Sequence, residues 1–445
     1  MKIVISVLLI VFLAVGWIAA MPKADTVDVT RELEIAREQR DREAYGSAIK
    51  YYRRAAEKDS SVEIELELYD AYVAAGKRKE ARELLEALVE REKANMAEQP
   101  ELVSLYGMLV DLYAQSADWE SYIALAREVC AADRAYFDEY LAERYFANRY
   151  KPEIVSRLFL EAGDFTANGM ARVAAAEGVY FLDSTMHILS GPYQDAGQAV
   201  SSVLAVKDDA GWRFVDTSGA LYMASDTQYD RLWSGSGRYA AGMRDGKYYY
   251  LNDHCQEVLG PYDEASSFCE GVAAVRIDDE WFLIDSDGND AAKQSFEEIK
   301  IDEFGYCSVN QRFFGRKDGE WKLYDLTGNA VSGETFLDVR PFAGGPFAAV
   351  ELADCWAFVN ASGQICCGDL RFEDARSAGA GNLAAVKQNG LWGYILGGEW
   401  IGEERIASWK MVIEPAYEDA GVFGTDNIAP VKIDGSWYYI RLMLH

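Results

Sequence analysis

Two hydrophobic periods divide the chain. Downstream of about residue 165, apolar and polar residues alternate in short runs, and a Val stands six residues before a Trp at Val206–Trp212, Val275–Trp281, Val350–Trp356, Val386–Trp392 and Val431–Trp437. Trp321 and weaker matches at Val179 and Tyr248 keep the surrounding pattern, giving eight occurrences spaced 33, 36, 33, 40, 35, 36 and 45 residues apart. A recurrence of this length marks a repeat architecture. Turn formers separate each Val from its Trp, such as Asp278 and Asp279, Asp318 and Gly319, Asn389 and Gly390, and Asp434 and Gly435. Each occurrence therefore predicts a tight β-hairpin. A slip of one residue would turn every side chain to the opposite face, so the constant offset sets the register. Phe214, Leu283, Leu323, Phe358, Tyr394 and Tyr439 stand two residues beyond the Trp position and share its face of the strand. A less regular segment follows and ends near an aromatic and acidic pair, as at Tyr229 with Asp230, Tyr262 with Asp263 and Tyr417 with Glu418.

These residues resemble the bacterial WG-repeat family, whose units combine a Trp-Gly strand, a Tyr-Asp turn and a Phe-x-x-Gly-x-Ala-x-Val strand. Asn389–Ile395, NGLWGYI, carries the Trp-Gly pair, and Pro261–Val275, PYDEASSFCEGVAAV, carries most of the second half. Elsewhere the Trp is followed by Arg213, Phe282, Lys322, Ala357 or Tyr438. The resemblance spans Phe165 to the chain end and implies a scaffold without an activity, so it transfers no functional residues.

Eight hairpins separated by seven Tyr-Asp-type segments leave half a repeat over. That count predicts a seven-bladed β-propeller-like ring, in which the first hairpin (171–183) and the last (428–440) lie side by side and complete one shared blade. Closure would remove the exposed edges of an open array. The alternative is an open β-solenoid, with those hairpins far apart.

Between about residues 30 and 150 the period lengthens toward 3.6 and Ala, Glu, Arg and Leu dominate, predicting amphipathic helices. Ala44–Asp59 places Ala48, Tyr52 and Ala55 on one face, and Ala75–Glu90 does the same with Ala81, Leu85 and Leu88. Ala48 and Ala81 are 33 residues apart, close to the ~34-residue tetratricopeptide repeat. A looser third unit ends at Cys130, and the alternative is an ordinary helical bundle. Residues 151–164 still read as helical, which places the boundary between a tetratricopeptide-like α-helical domain (30–164) and the β domain (165–445) near Gly163–Gly169.

Residues Ile3–Met21 form an apolar run of 19 behind Lys2, about the ~20 needed for a transmembrane helix. Segment 1–22 thus reads as an anchor, and the positive-inside rule would put the bulk of the chain outside the cytoplasm. A cleaved signal peptide ending near Ala19 and Ala20, giving a secreted protein, is the alternative.

Charge narrows the partners. With 44 Lys and Arg against 73 Asp and Glu, the formal charge of -29 disfavours nucleic acid. The seven Cys (Cys130, Cys255, Cys269, Cys307, Cys355, Cys366 and Cys367) lack a C-x-x-C spacing and read as small buried hydrophobes rather than a disulfide framework. His187, His254 and His445 are too dispersed for a helical zinc pair. GAGNLA (379–384) imitates a dinucleotide loop but precedes a repeat strand, and DSDGND (285–290) could ligate calcium but coincides with a turn. Glu297 and Glu298 could contribute to a glycosidase pair only if folding brought the right carboxylates together. The Trp series could stack sugars, yet its constant place in the repeat points to core packing.

No catalytic, metal-binding or cofactor-binding residue is therefore assigned, and no cofactor is expected. The sequence reads as a non-enzymatic, membrane-anchored, extracytoplasmic scaffold that binds protein partners through its helical and β repeats. A carbohydrate or cell-wall polysaccharide-binding module is the alternative, and a glycosidase the more distant one.

Overall fold

The computed structural model describes residues 24–95, 100–116, some positions between 118 and 128, and 150–442 except 224–226, 237, 398, 402–403 and 408. It divides after Glu128 into two compact units. The first contains α1 (Ala24–Asp41), α2 (Tyr45–Lys58), α3 (Val62–Ala74), α4 (Arg78–Asn95) and α5 (Pro100–Gln115). Ala36, Ala48, Ala71 and Ala81 are fully buried, and these small side chains allow close helix approach around Tyr52 and Leu68. Ala55, Leu85 and Leu88 are buried as their spacing predicts. The α3–α4 turn depends on Gly76, whose φ of +70° suits a residue without Cβ. The Gly76 and Lys77 N–H groups bond Val73 and Tyr72 carbonyls there, satisfying the end of α3. This region is helical, as expected; Cys130 lies outside the described residues.

The second unit is an eight-bladed β-propeller. Blade 1 contains Glu161–Ala162, Met170–Ala175, Gly178–Asp183 and Ile188–Tyr193, in that order from its inner strand outward. Blade 2 runs from Asp195–Ala196 to Leu221–Met223, and blade 3 from Arg231–Ser236 to Glu257–Tyr262. Blades 4, 5 and 6 begin at Glu264–Ala265, Glu298–Ile299 and Asp338–Val339 and have three regular strands each. In them the fourth strand shrinks to bridges such as Trp281–Phe296, Trp321–Phe336 and Trp356–Phe372. Blade 7 begins at Asp374–Ala375; the extra hairpin Glu399–Ile401 and Glu404–Ala407 accounts for the final 45-residue spacing.

Each hairpin makes its own blade, so the expected count of seven becomes eight. Blade 8 combines Asp419–Ala420, Ile428–Ile433 and Ser436–Leu442 with Pro152–Ile154, which pairs antiparallel to Ser436–Leu442. One blade is shared by the two ends of this unit, as ring closure requires, but its upstream contribution is residues 152–154 rather than the first hairpin. The first hairpin instead packs beside the last: Ala171, Val173 and Leu182 meet Ile428 and Tyr439 in one core. The open solenoid is thereby excluded. Residues 152–162 are extended, not helical, so the β unit begins upstream of the expected boundary; Pro152 is tolerated because it starts an edge strand.

Register explains the six-residue offset. Arg276 lies opposite Trp281 and Val275 opposite Phe282, so Val275 and Trp281 occupy opposite faces of blade 4. Val275 joins Tyr239, Ala241 and Tyr250 of blade 3. Trp281 joins Phe296 and, from blade 5, Ile299 and Phe313. Each sheet is consequently buried on both sides. Its tight turns have positive φ at both central residues, as at Asp318 (54°) with Gly319 (79°) and Asn389 (52°) with Gly390 (79°).

Ile3–Met21 lies outside the described residues. Among the described residues, no helix is long and apolar enough to cross a membrane. The single-pass localisation is corrected on that finding. This statement does not extend to membrane strands.

Candidate functional site

The inner strands carry a common motif of aromatic, variable, acidic and small residues. It appears as Tyr193-Gln194-Asp195-Ala196, Tyr262-Asp263-Glu264-Ala265, Phe336-Leu337-Asp338-Val339 and Phe372-Glu373-Asp374-Ala375. When the variable residue is acidic, it caps the hairpin turn of its own blade. Asp263 Oδ2 accepts the Asp278 N–H at 3.1 Å, the Glu373 carboxylate accepts those of Asn389 and Gly390 at 2.8 and 2.9 Å, and Glu418 Oε2 accepts that of Gly435 at 3.0 Å. The Tyr-Asp and Trp parts of the repeat are thus two sides of one local device.

The next acid faces the ring's interior and links successive blades. Lys300 Nζ lies 2.7 Å from Asp338, Arg340 Nη2 lies 2.8 Å from Asp374, and Arg376 Nη2 lies 3.0 Å from Asp419. Each cation also stands over its own blade's Trp: Lys300 over Trp321 at 5.2 Å, Arg340 over Trp356 at 4.6 Å, and Arg376 over Trp392 at 5.5 Å. Trp281, Trp321, Trp356 and Trp392 are buried, so their aromatic faces are core surfaces rather than sugar platforms. Buried tyrosines repeat a second link: Tyr250 donates to Ser266 O at 2.8 Å, Tyr394 to Gly421 O at 3.0 Å, and Tyr439 to Gly163 O at 2.7 Å. The last bond crosses the closing seam between blades 8 and 1.

Each available match to the WG containing repeat covers this same combination. The matched residues are 262–281, 356–392 and 410–437, and the matches end at Trp281, Trp392 and Trp437, the Trp positions of blades 4, 7 and 8. The chain carries WG repeats in its C-terminal region. No curated protein matches it. Solved structures similar to it include Hsv2 of Kluyveromyces lactis, at 9% identity and a TM-score of 0.36, covering 57% of this chain and 97% of Hsv2. A eukaryotic initiation factor matches at 11% identity and a TM-score of 0.40, covering 66% and 88% respectively. PorZ of Porphyromonas gingivalis matches at 10% identity and a TM-score of 0.33, covering 63% and 42%.

Blade 3 departs from the WG-repeat protein's inner-ring pattern. Arg231 occupies its acidic position, while the preceding blade has Gly197 where blades 5, 6 and 7 have their linking cations. A cavity of about 450 Å³ opens here, with Gly197, Arg231, Trp233, Tyr248, Glu264 and Trp281 among its lining residues. Trp233 and Tyr248 are half-buried, with ring centroids 5.2 Å apart. Arg231 is exposed and stands 5.1 Å from the Trp233 centroid.

Blade 5 contributes the cavity's other distinctive segment. From the start of its inner strand to the next strand is 14 residues (298 to 312), against 8 or 9 in the other blades. The added loop places Asp302, Glu303, Phe304 and Gly305 along the cavity. Asp302 accepts the Phe304 and Tyr306 N–H groups at 2.9 and 2.7 Å, while Ser267 N–H bonds Gly305 O at 2.7 Å. Asp302 retains an edge on the channel but is otherwise enclosed by protein, and burial pushes its carboxyl up to about 7. Glu303 acts electrostatically on the buried Asp164, four blades away around the ring. Burial, then Glu303, raises Asp164 well above the usual carboxylate range, opposed by Arg376.

The sequence candidates are not brought into this site. His187 and His254 lie exposed in separate turns, and His445 lies outside the described residues. GAGNLA contains a short 3-10 turn at Ala380–Asn382, while Asp285 caps its own turn through the Asp287 and Asn289 N–H groups. Glu297 caps a hairpin turn through Gly319 N–H, whereas adjacent Glu298 belongs to the inner strand. Among the described residues, Cys255, Cys269, Cys307, Cys355 and Cys367 are free thiols. Sequence reasoning missed Arg231, Asp164 and Glu303; the readable signals were the break in the acidic motif and the 40-residue spacing across blade 5.

Proposed function

We propose that this WG-repeat protein is a non-enzymatic interaction scaffold whose propeller binds protein partners. The supporting observation is the structural use of its recurrent charges: Lys300, Arg340 and Arg376 bind the acids of following blades, while Asp263, Glu373 and Glu418 cap turns. Their repetition maintains a closed framework, and variation between repeated units supplies surfaces for recognition. Half-buried Trp233 and Tyr248 support a second reading, in which the cavity holds a polysaccharide.

The deciding experiment cross-links the full chain to partners in its native cells and maps the linked residues by mass spectrometry. Recurrent links from propeller loops to one protein, with binding reproduced from purified components, are the expected result. Reproducible hydrolysis of a glycoside, ester or peptide that is abolished by one Asp or Glu substitution would overturn the non-enzymatic reading. Saturable binding of cell-wall fragments with no protein binding would favour the polysaccharide reading.

A further inference from the structure

We infer that the cavity lined by blades 2 to 5 is a binding site for a peptide carboxylate with an adjoining apolar side chain, Arg231 taking the carboxylate and Trp233 the apolar group. This inference rests on the scaffold reading and specifies the partner's chemistry. The first support is the exception in the ring. Asp195, Glu264, Glu298, Asp338, Asp374 and Asp419 occupy the inner-strand acidic position in other blades, whereas blade 3 has Arg231. Gly197 supplies no side chain from blade 2 to engage it, and no described residue forms a hydrogen bond or ion pair with its guanidinium. Its observed companion is the Trp233 ring at 5.1 Å. A substitution that served only the ring would have a structural partner, as Arg340 has Asp374 at 2.8 Å.

The second support is the shape and chemistry of the cavity. Its volume of about 450 Å³ lies within the usual range for a small-ligand pocket or a few peptide side chains. Arg231, Trp233 and Tyr248 share its wall. A guanidinium presents paired N–H donors suited to the two carboxylate oxygens, while the adjacent aromatic rings suit an apolar or planar body. Glu264, Asp302 and Glu303 also line this space and disfavour a ligand of higher negative charge. Two lining hydroxyls are already engaged: Ser234 Oγ accepts the Ala205 N–H, and Ser266 Oγ accepts the Ala274 N–H while donating to Ser267 O. That arrangement favours one charged end and an unsubstituted body over a ring of hydroxyl groups, each needing a partner.

The test is calorimetric titration of the full chain with N-acetyl-glycyl-phenylalanine, with the same dipeptide as its carboxy-terminal amide, and with glucuronate. Intrinsic Trp fluorescence supplies a second reading. The free acid is expected to bind, with the amide weaker by about tenfold to a hundredfold. Arg231→Gln should cause a similar loss while leaving the melting temperature within about 2 °C of wild type, because no ion pair with a described residue is removed. Absence of free-acid binding, equal binding of acid and amide, or full affinity in Arg231→Gln would overturn the inference. Preference for glucuronate would overturn the peptide assignment in favour of an acidic sugar. These failures are separable from failure of the scaffold reading, which is judged by cross-links to propeller loops outside this cavity.

Discussion

Blades 5 to 7 and blades 2 to 4 use the same inner-ring positions differently. In the former, Lys300, Arg340 and Arg376 connect each blade to the next and cover a buried Trp. In the latter, Gly197 leaves space, Arg231 replaces the acid, and Trp233 remains half-buried beside a cavity. Repetition thus establishes the structural default against which a local exception gains chemical meaning. The same side-chain type can serve closure in one blade and recognition in another because its neighbours decide which charges it must satisfy.

The strongest way to break that comparison is to remove the closure on which both sides depend. Truncation after Gly424 removes Ile428–Ile433 and Ser436–Leu442 and leaves Pro152–Ile154 without its partner. The β unit should lose its cooperative thermal transition by circular dichroism; an unchanged transition would show that seven blades are self-sufficient. Next in size is Trp392→Ala, expected to cost about 3–5 kcal/mol in chemical denaturation, because Trp392 is buried beneath Arg376. Trp233→Ala should cost clearly less, since Trp233 keeps exposure to the cavity. Equal losses would show that the two Trp positions have the same structural role.

A smaller contrast separates the arginines. Arg340→Met should lose about 1–3 kcal/mol by leaving Asp374 without its ion-pair partner, whereas Arg231→Met should remain within about 0.5 kcal/mol of wild type. Urea titration checks both. The smallest expected effect is the pH response of Asp302. Its folded carboxyl holds a proton up to about 7, while an ordinary Asp releases it near 4. The native state therefore binds more protons between about pH 4 and 7, and this contribution is present at the acidic end and lost as pH rises. Asp302→Asn retains an oxygen for the Phe304 and Tyr306 N–H groups but should reduce that fall in a melting-temperature series. Asp216, Asp285 and Asp325 are shifted downward and have the opposite pH sign, so the wild-type minus variant difference is the relevant readout.

Much of the repeat framework was legible because its interactions are local. Val275 and Trp281 are joined by one two-residue turn, and the same spacing recurs wherever that turn and two buried faces recur. The helical faces at Ala48 and Ala81 were readable for the same reason. Blade count was less direct: hairpins are visible as local units, but only pairing of Pro152–Ile154 to the distant Ser436–Leu442 shows which one is shared. The helical reading of residues 151–164 failed because long-range pairing overrides its local pattern. The candidate pocket was less legible still. Arg231 looked like one residue among many until the ring aligned it with Asp195, Glu264 and Asp338, and the opposition of Asp164 and Glu303 spans four blades.

The shared blade also gives synthesis a direction that the finished ring conceals. Pro152–Ile154 emerges roughly 290 residues before Leu442, the far end of the strand with which it pairs. At ~5–20 residues per second, that separation corresponds to about 15–60 s of translation. During that interval the early blades have unpaired edges available to other nascent chains. The final hairpin is therefore a molecular latch whose arrival ends a period of vulnerability on the ribosome, and a translational pause before it would extend the need for chaperone protection.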